Sequence, residues 1–582
     1  MSEIKLGLFQ GENKPTKKCV WDFYERGRRY NDQLDIDETV RCNENFFVSK
    51  QWENVESNGL PTPVYNFIKR VVMFEVASIT TDDIKVNVTP LAHTANTDQL
   101  IPAVNVVSEE FDALSERNEL AFMAREFVRN AAVDGDGCFY TYWDADAETG
   151  MTIEDEEIKG EIRTEVLDNT DIYFGNPTDK RVESQPYIII RSQLPTRSVM
   201  LKAKANKSKE WQDIKPDAEF LNVMDSAKMT DDMTTLLLIL WRDDETGSIW
   251  GYECTRDAVV KEEWDLGIKR YPLVWLNWDY VKNSYHGAAL VTGILNNQIF
   301  VNKQWAMASL SMMKTAYPKY AIDGTRINSL DNRIGGCIKT NGPPADAIKA
   351  IDPPSISPQV AQYIELAIEE TEKCLGVTAV ALGDTRPDNT SAIIALQRAA
   401  ATPLELTKQN LYKAIEDLFR IYLEFMSVYY GKRLVDTEVS DKMGQVYQFA
   451  GMDIPSSIVD YFDFSTLKDH PMKLKLEVGP SSFFSEQAAM LTLDKMLEKQ
   501  LISREQFVKR IPDGYIPDRR GLLQEFEQEA QQQAMMQAQQ MGGMPMGEEE
   551  PIAAAPEKAE IPTSGGGFSD LQRKIVQGVD VR

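Results

Sequence analysis

Leu382-Gly-Asp-Thr-Arg-Pro-Asp-Asn-Thr390 is a run of turn-forming residues that leads straight into Ser391–Tyr430, forty residues of helical character. At 1.5 Å per residue such a helix would run about 60 Å if straight. That is long for a globular domain, and it needs a large body to lie against. Thr390 or Ser391 suits the N-cap, where a side-chain oxygen satisfies one of the orphan amide donors of the first turn. Pro403 removes an interior hydrogen bond and crowds the preceding turn, so a kink is expected there. Two further helical segments precede the loop, His286–Tyr317 and Pro358–Leu375, and they flank an irregular, Pro-rich insert.

The residues before this block mix helix and strand, so the expected fold class is α+β. Trp21–Asp32 reads as a short amphipathic helix, and Tyr65–Ile79 as a helix with one buried face. Asp112–Val133 reads as a single strong helix. Ile84–Pro90 alternates apolar and polar residues and reads as a strand, as do Cys138–Trp143, Thr235–Trp241, Ile249–Cys254, Val259–Trp264 and Pro272–Asn277. After the long helix, Leu474–Val478 reads as a strand and Ser482–Leu501 as a helix. From 542 onward the chain is rich in Pro, Gly, Glu and Ala, a composition expected to stay disordered.

Composition narrows the function. The chain carries 63 basic and 90 acidic residues, a net charge of −27. A DNA-gripping protein shows basic stripes and a high pI; an acidic chain that meets DNA must do so without tight phosphate contacts. No run of eighteen apolar residues exists, so no membrane span is expected, and the N-terminus lacks a secretory pattern. The six cysteines (19, 42, 138, 254, 337 and 374) form no Cys-x-x-Cys pair, and the three histidines (93, 286 and 470) are far apart. Neither a disulfide framework nor a histidine metal site is expected.

The chemical motifs point away from catalysis. There is no phosphate-cradling Gly-x-x-x-x-Gly-Lys-Ser/Thr, no His-Glu-x-x-His and no Gly-x-Ser-x-Gly. Asp134-Gly-Asp-Gly137 begins like a calcium loop, but Ala145 stands where such a loop needs a bidentate glutamate. It reads as a helix-to-strand turn. No catalytic, cofactor or metal residues are therefore assigned, and the chain is read as a non-enzyme.

The order helix, insert, returning helix, loop and very long helix resembles the portal proteins of tailed bacteriophages. Gln51-Trp52 followed by Asn66 is similar to that family's N-terminal signature, although Ser49-Lys50 stand where the family has Gly and an acidic or polar residue. Gly376-Val-Thr-Ala-Val-Ala-Leu-Gly383, then Arg386-Pro-Asp-Asn-Thr-Ser391 and Ala395-Leu-Gln-Arg398, resembles the family's tunnel-loop region. The resemblance covers about residues 40 to 530.

The resemblance implies a portal fold assembled as a ring, usually a dodecamer. The expected parts are a wing (1–285 and 434–480), stem helices (286–316 and 358–375), a clip (317–357), a tunnel loop (376–392), a long kinked helix (393–433), a crown (481–541) and a disordered tail (542–582). Asp384, Thr385, Arg386, Pro387, Asp388 and Asn389 would be the tip of the tunnel loop. Double-stranded DNA would pass through the channel during packaging and ejection. Terminase and head-tail adaptor proteins would dock on the ring, and major capsid and scaffold proteins would surround it. The implied place is the portal vertex of the virion, after synthesis in the host cytoplasm, with no membrane involvement. A nucleic-acid packaging enzyme and a non-viral helical scaffold are the alternatives.

The helical hairpin also carries a charge pattern. His286–Tyr317 contains no Asp or Glu, and its only lysines, Lys303 and Lys314, are spaced to share a face. The returning segment places Glu365, Glu369 and Glu372 on one face. If the hairpin runs antiparallel, Lys303 is expected level with Glu369–Glu372, with leftover carboxylates lining the channel.

Overall fold

Met233-Thr-Thr-Leu-Leu-Leu-Ile-Leu-Trp-Arg242 is apolar on both of its alternating faces, which suits a strand covered on both sides. In the computed structural model it is the central strand of a five-stranded antiparallel sheet. The structure describes residues 9, 14–57, 59–80, 84–90, 97–153, 156–217, 232–316, 319–327, 339–351, 359–374, 404–438, 457–469, 472–478, 483–499, 502, 504–511 and 522.

The chain opens with α1 (Lys17–Gln33), α2 (Ile36–Phe47), α3 (Phe67–Thr80), β1 (Ile84–Pro90), α4 (Thr97–Arg117) and α5 (Leu120–Asp134). The hairpin strands β2 (Asp136–Ile153) and β3 (Glu156–Leu167) follow, then β4 (Ile172–Phe174), β5 (Tyr187–Pro195), α6 (Thr196–Ala205), β6 (Met233–Arg242), β7 (Ile249–Cys254), β8 (Val259–Asp265) and β9 (Leu273–Asn277). Next come α7 (Leu290–Ala316), β10 (Lys319–Ile322), the short α8 (Pro344–Ala347), β11 (Ile348–Ile351), α9 (Gln359–Cys374) and α10 (Glu405–Phe425). The described part closes with β12 (Lys432–Glu438), β13 (Ser457–Asp463), β14 (Met472–Val478), α11 (Phe483–Glu498) and α12 (Arg504–Arg510).

The chain divides into two units, residues 1–486 and 487–582. Within the second, the described residues are helical, in the C-terminal part of α11 and in α12. The first unit holds the mixed body. Its five-stranded sheet has the order β4-β5-β6-β7-β8, and a three-stranded sheet has the order β3-β2-β9. β1 pairs antiparallel with β14, from Ile84↔Val478 to Pro90↔Met472, so the sheet tie brings the chain back to its N-terminal third. The observed class is α+β.

Alternation sorts the side chains of the five-stranded sheet. Tyr187 and Ile189, Leu237, Ile239 and Trp241, and Tyr252 and Cys254 face Val20 and Tyr24 of α1 in one buried cluster. On the opposite face Leu236 packs with Val199 and Ala203 of α6. Helix α10 lies against the three-stranded sheet: Tyr422 Oη and Thr164 Oγ1 are 2.8 Å apart, and Thr164 Oγ1 and Thr141 Oγ1 are 3.1 Å apart. Met426–Tyr430 continue α10 as a π-helical turn, ended by Gly431 at φ 59°. Tyr429 stacks on Trp143 with ring centroids 5.2 Å apart.

Three expectations need correction. The single helix expected over Asp112–Val133 is two helices, because Glu119 sits in the left-handed region at φ 50°. The break frees Asn118, whose Nδ2 donates to Ile162 O (3.2 Å) and whose Oδ1 accepts from Thr164 N (3.0 Å), capping the edge of β3. The insert read as irregular contains an antiparallel ladder, β10 with β11, from Lys319↔Ile351 to Ile322↔Ile348. The first hairpin helix begins at Leu290 rather than His286, since the preceding residues bend at Tyr285 and His286 and bridge Ala288 to Asp279. Of the long helix, Glu405–Tyr430 is described; residues 391–403 lie outside the described residues, and so does the kink expected at Pro403.

Candidate functional site at the root of helix α7

Two buried polar networks fix α7 to the body. The first begins at the turn after α5. Gly135 ends that helix at φ 103°, and a side chain there would bring a Cβ within 2.8 Å of Gly287 O. Gly287 is equally confined, with its virtual Cβ 2.9 Å from Gly135 O. The Asp-Gly-Asp-Gly stretch is thus a helix-to-strand turn in which backbones meet at glycines. Beside it Asp136, 1% exposed, accepts from Gly287 N and from Asn277 Nδ2, each at 2.7 Å. His286, 2% exposed, places Nδ1 2.8 Å from Asp136 Oδ2 and Nε2 3.2 Å from Asn31 Oδ1. Tyr285 Oη, with one proton to give, lies within reach of two acceptors, Asn31 Oδ1 (3.2 Å) and Ile172 O (3.1 Å). One hub therefore ties α1, β2, β4 and β9 to the segment that enters α7.

This Asp–His pair has no serine to activate. Ser284 Oγ accepts from the backbone N–H of His286 at 3.1 Å, and the second ring nitrogen faces an asparagine. The arrangement orients groups and satisfies buried donors; it does not present a nucleophile.

The second network lies higher on the helix. Gln298 (0% exposed) and Asn302 (3%) are polar residues four apart on the buried face of α7. Gln298 Oε1 accepts from Phe67 N (3.2 Å) and Ile68 N (3.4 Å), two backbone donors in the first turn of α3. Its Nε2 donates to Tyr65 O at 2.7 Å and Asn302 Oδ1 at 3.0 Å. Asn302 Nδ2 donates to Gln51 Oε1 at 2.5 Å, and Gln51 Nε2 donates to Phe46 O at 3.0 Å. Asn66 joins the same place: its Nδ2 donates to Phe46 O and Phe47 O at 3.0 Å each, while Oδ1 caps α3 by accepting from Lys69 N at 3.0 Å. Trp52 Nε1 donates to Pro63 O at 3.0 Å. Gln51, Trp52 and Asn66 thus brace α3 and α7. Gln298, Asn302 and Asn31 do not stand out in the sequence, and Asp136 is visible there only as part of the Asp134–Gly137 turn; a polar pair four apart on an apolar helix face was the available signal.

Burial governs the ionisable groups nearby. Glu75 on α3 is 2% exposed, and desolvation, reinforced by Asp279, pushes its carboxyl up to about 8. Burial likewise raises Asp134 to about 7, opposed by Arg129.

The hairpin residues singled out by charge fall as follows. α7 packs on α9, with Asn297 Nδ2 donating to Thr371 Oγ1 at 3.0 Å and the Phe300 and Tyr363 rings 5.9 Å apart. Lys303, Lys314, Glu365 and Glu369 are exposed. Glu369 pairs with Lys373 of its own helix at 2.9 Å. Glu372 turns inward toward Arg70 of α3, Nη1 to Oε1 3.9 Å. Asp384, Thr385, Arg386, Pro387, Asp388 and Asn389 lie outside the described residues.

Sheet body and rooted helical hairpin together define an α+β protein in which buried polar networks hold α7 in place. Residues 196–453, which span α6, the sheet strands β6–β9, the α7/α9 hairpin and α10, match the family model of phage P22-like portal proteins, and this match supports a phage portal protein. Among curated proteins none matches the chain. No helix among the described residues is long and apolar enough to cross a membrane.

Proposed function

We propose that the chain is the repeating subunit of a phage portal ring at one capsid vertex. The observation that carries this reading is the portal-family match across residues 196–453, whose middle is a helical hairpin rooted by buried polar networks in a sheet body. Double-stranded DNA would enter and leave through the ring's channel. Residues 317–357 would form the clip that faces terminase and, later, head-tail adaptors. Capsid and scaffold proteins would meet the outer body, and twelve copies is the proposed count. The mechanism is mechanical: docking and gating, with no bond chemistry.

The charges of the hairpin fit a conduit. Exposed Glu365 and Glu369 would face either the channel or the next copy, where Lys303 and Lys314 are available as partners. A net charge of −27 keeps phosphates from adhering. The loop Asp384–Asn389 would act as the valve, and Pro403 would bend the helix behind it.

The test is assembly of the purified full chain. Light scattering and negative-stain images should give closed rings with a central hole. A stable monomer at micromolar concentration would overturn the proposal. ATP hydrolysis by the purified chain would favour a packaging enzyme.

A further inference from the structure

The face of the five-stranded sheet opposite α1 carries a recess of about 750 Å³, closed on its other side by β2 and by Phe425 and Tyr429 at the end of α10. Five carboxylates line it, Asp144, Asp146, Glu165, Glu253 and Asp265, against two lysines, Lys202 and Lys261. Glu253 is the deepest of these, with its side chain 9% exposed. Its Oε1 takes Lys202 Nζ at 2.8 Å, but Oε2 is buried and has no hydrogen-bond partner among the described residues. Leaving a buried carboxylate oxygen unmatched is costly, so a donor from outside is favoured there. The walls suit a cation: Lys261 Nζ already sits 3.7 Å from the Trp264 ring centroid, and Tyr140, Tyr142 and Tyr429 add aromatic surface.

The other face of the same sheet carries the complement. Helix α1 packs on it through Val20 and Tyr24, and Arg26, Arg28 and Arg29 are exposed on the helix, Arg29 Nη2 lying 3.4 Å from Glu25 Oε2. The helix holds five basic residues against three acidic ones in a chain that is acidic overall. Acidic recess and basic helix therefore lie on opposite faces of one sheet. A ring closes through a heterologous contact, in which two different surfaces of one subunit meet their complements on its neighbours. Guanidinium groups are planar, stack on aromatic rings and bind carboxylates, which matches this recess better than an ammonium does.

We infer that the arginine side of α1 in one copy of this chain docks into the acidic, aromatic recess of the next copy. This rests on the ring reading above, and it specifies which surfaces meet. Full-length Arg29→Cys/Glu165→Cys protein, treated with a short-arm bismaleimide, should give a ladder of linked subunits on a denaturing gel. Each single variant should give at most the background of the native cysteines. Arg26→Glu/Arg28→Glu/Arg29→Glu should lower the ring fraction about tenfold, and adding Asp144→Lys/Glu165→Lys/Asp265→Lys should restore it. Rings that form without the ladder, or that survive the triple reversal, would overturn this inference and leave the ring reading intact. A chain that stays monomeric at every concentration would overturn both.

Discussion

Asn302 Nδ2 donates to Gln51 Oε1 at 2.5 Å, joining α7, the first helix of the hairpin, to a loop 251 residues earlier in the chain. Both residues are buried, so neither finds water if its partner is removed. Gln51→Leu should destabilise the first unit by about 1–3 kcal/mol, the cost of a buried group left unmatched. The double variant Gln51→Leu/Asn302→Leu should cost less than the sum of the two singles. Urea unfolding of all three variants checks this; strict additivity would show that the pair does not act as a unit.

Asp136 serves several donors at once, so its loss should be more severe. Asp136→Ala strips an acceptor from His286, Gly287 N and Asn277. A loss of about 3 kcal/mol or more is expected. Hydrogen exchange should localise the damage to residues 284–302, where α7 enters the body. Uniform loss of protection would indicate a global effect instead.

Gly135 and Gly59 provide a matched pair. Both have positive φ, 103° and 77°, but a Cβ at Gly135 would meet Gly287 O at 2.8 Å while one at Gly59 meets nothing within 4 Å. Gly59→Ala should cost about 1–2 kcal/mol, the left-handed penalty alone. Gly135→Ala adds a backbone clash and should cost clearly more. Equal shifts in thermal midpoint would remove the close-approach argument.

Glu75 should make stability pH-dependent. Its folded carboxyl titrates at about 8, against an ordinary 4.5. Between those values the unfolded chain has released the proton and the folded chain retains it, so stability falls as pH rises through this window. Glu75→Gln keeps the shape without the charge. It should flatten that part of the profile and stabilise the protein at pH 8, by an amount on the order of a few kcal/mol. Denaturation midpoints between pH 5 and 8 that stay parallel in wild type and variant would contradict this.

Much of the architecture is legible in the residues themselves. Alternation marks Ile84–Pro90, and three- and four-residue spacing marks the helix at Phe67–Thr80, because each records which face is buried. The hairpin helices follow from the same periodicity, and the portal resemblance follows from their order. The break at Asn118-Glu119 is not legible, since Asn118 leaves the helix only because the edge of β3, 44 residues away, offers it partners. The same holds for β10 and β11, four residues each, too short for a periodic signal and set by pairing across the insert.

The functional root of α7 divides the same way. Gln51, Trp52 and Asn66 are visible in the sequence as a motif, but their role is not, because their partners are Asn302, Pro63 and the end of α2. Local sequence determines helix, strand and turn, since those energies act between near neighbours. Which buried polar groups find one another, and how Lys303 stands relative to α9, depend on packing between distant segments. A buried donor must be matched wherever the fold carries it, and only the tertiary structure decides by what.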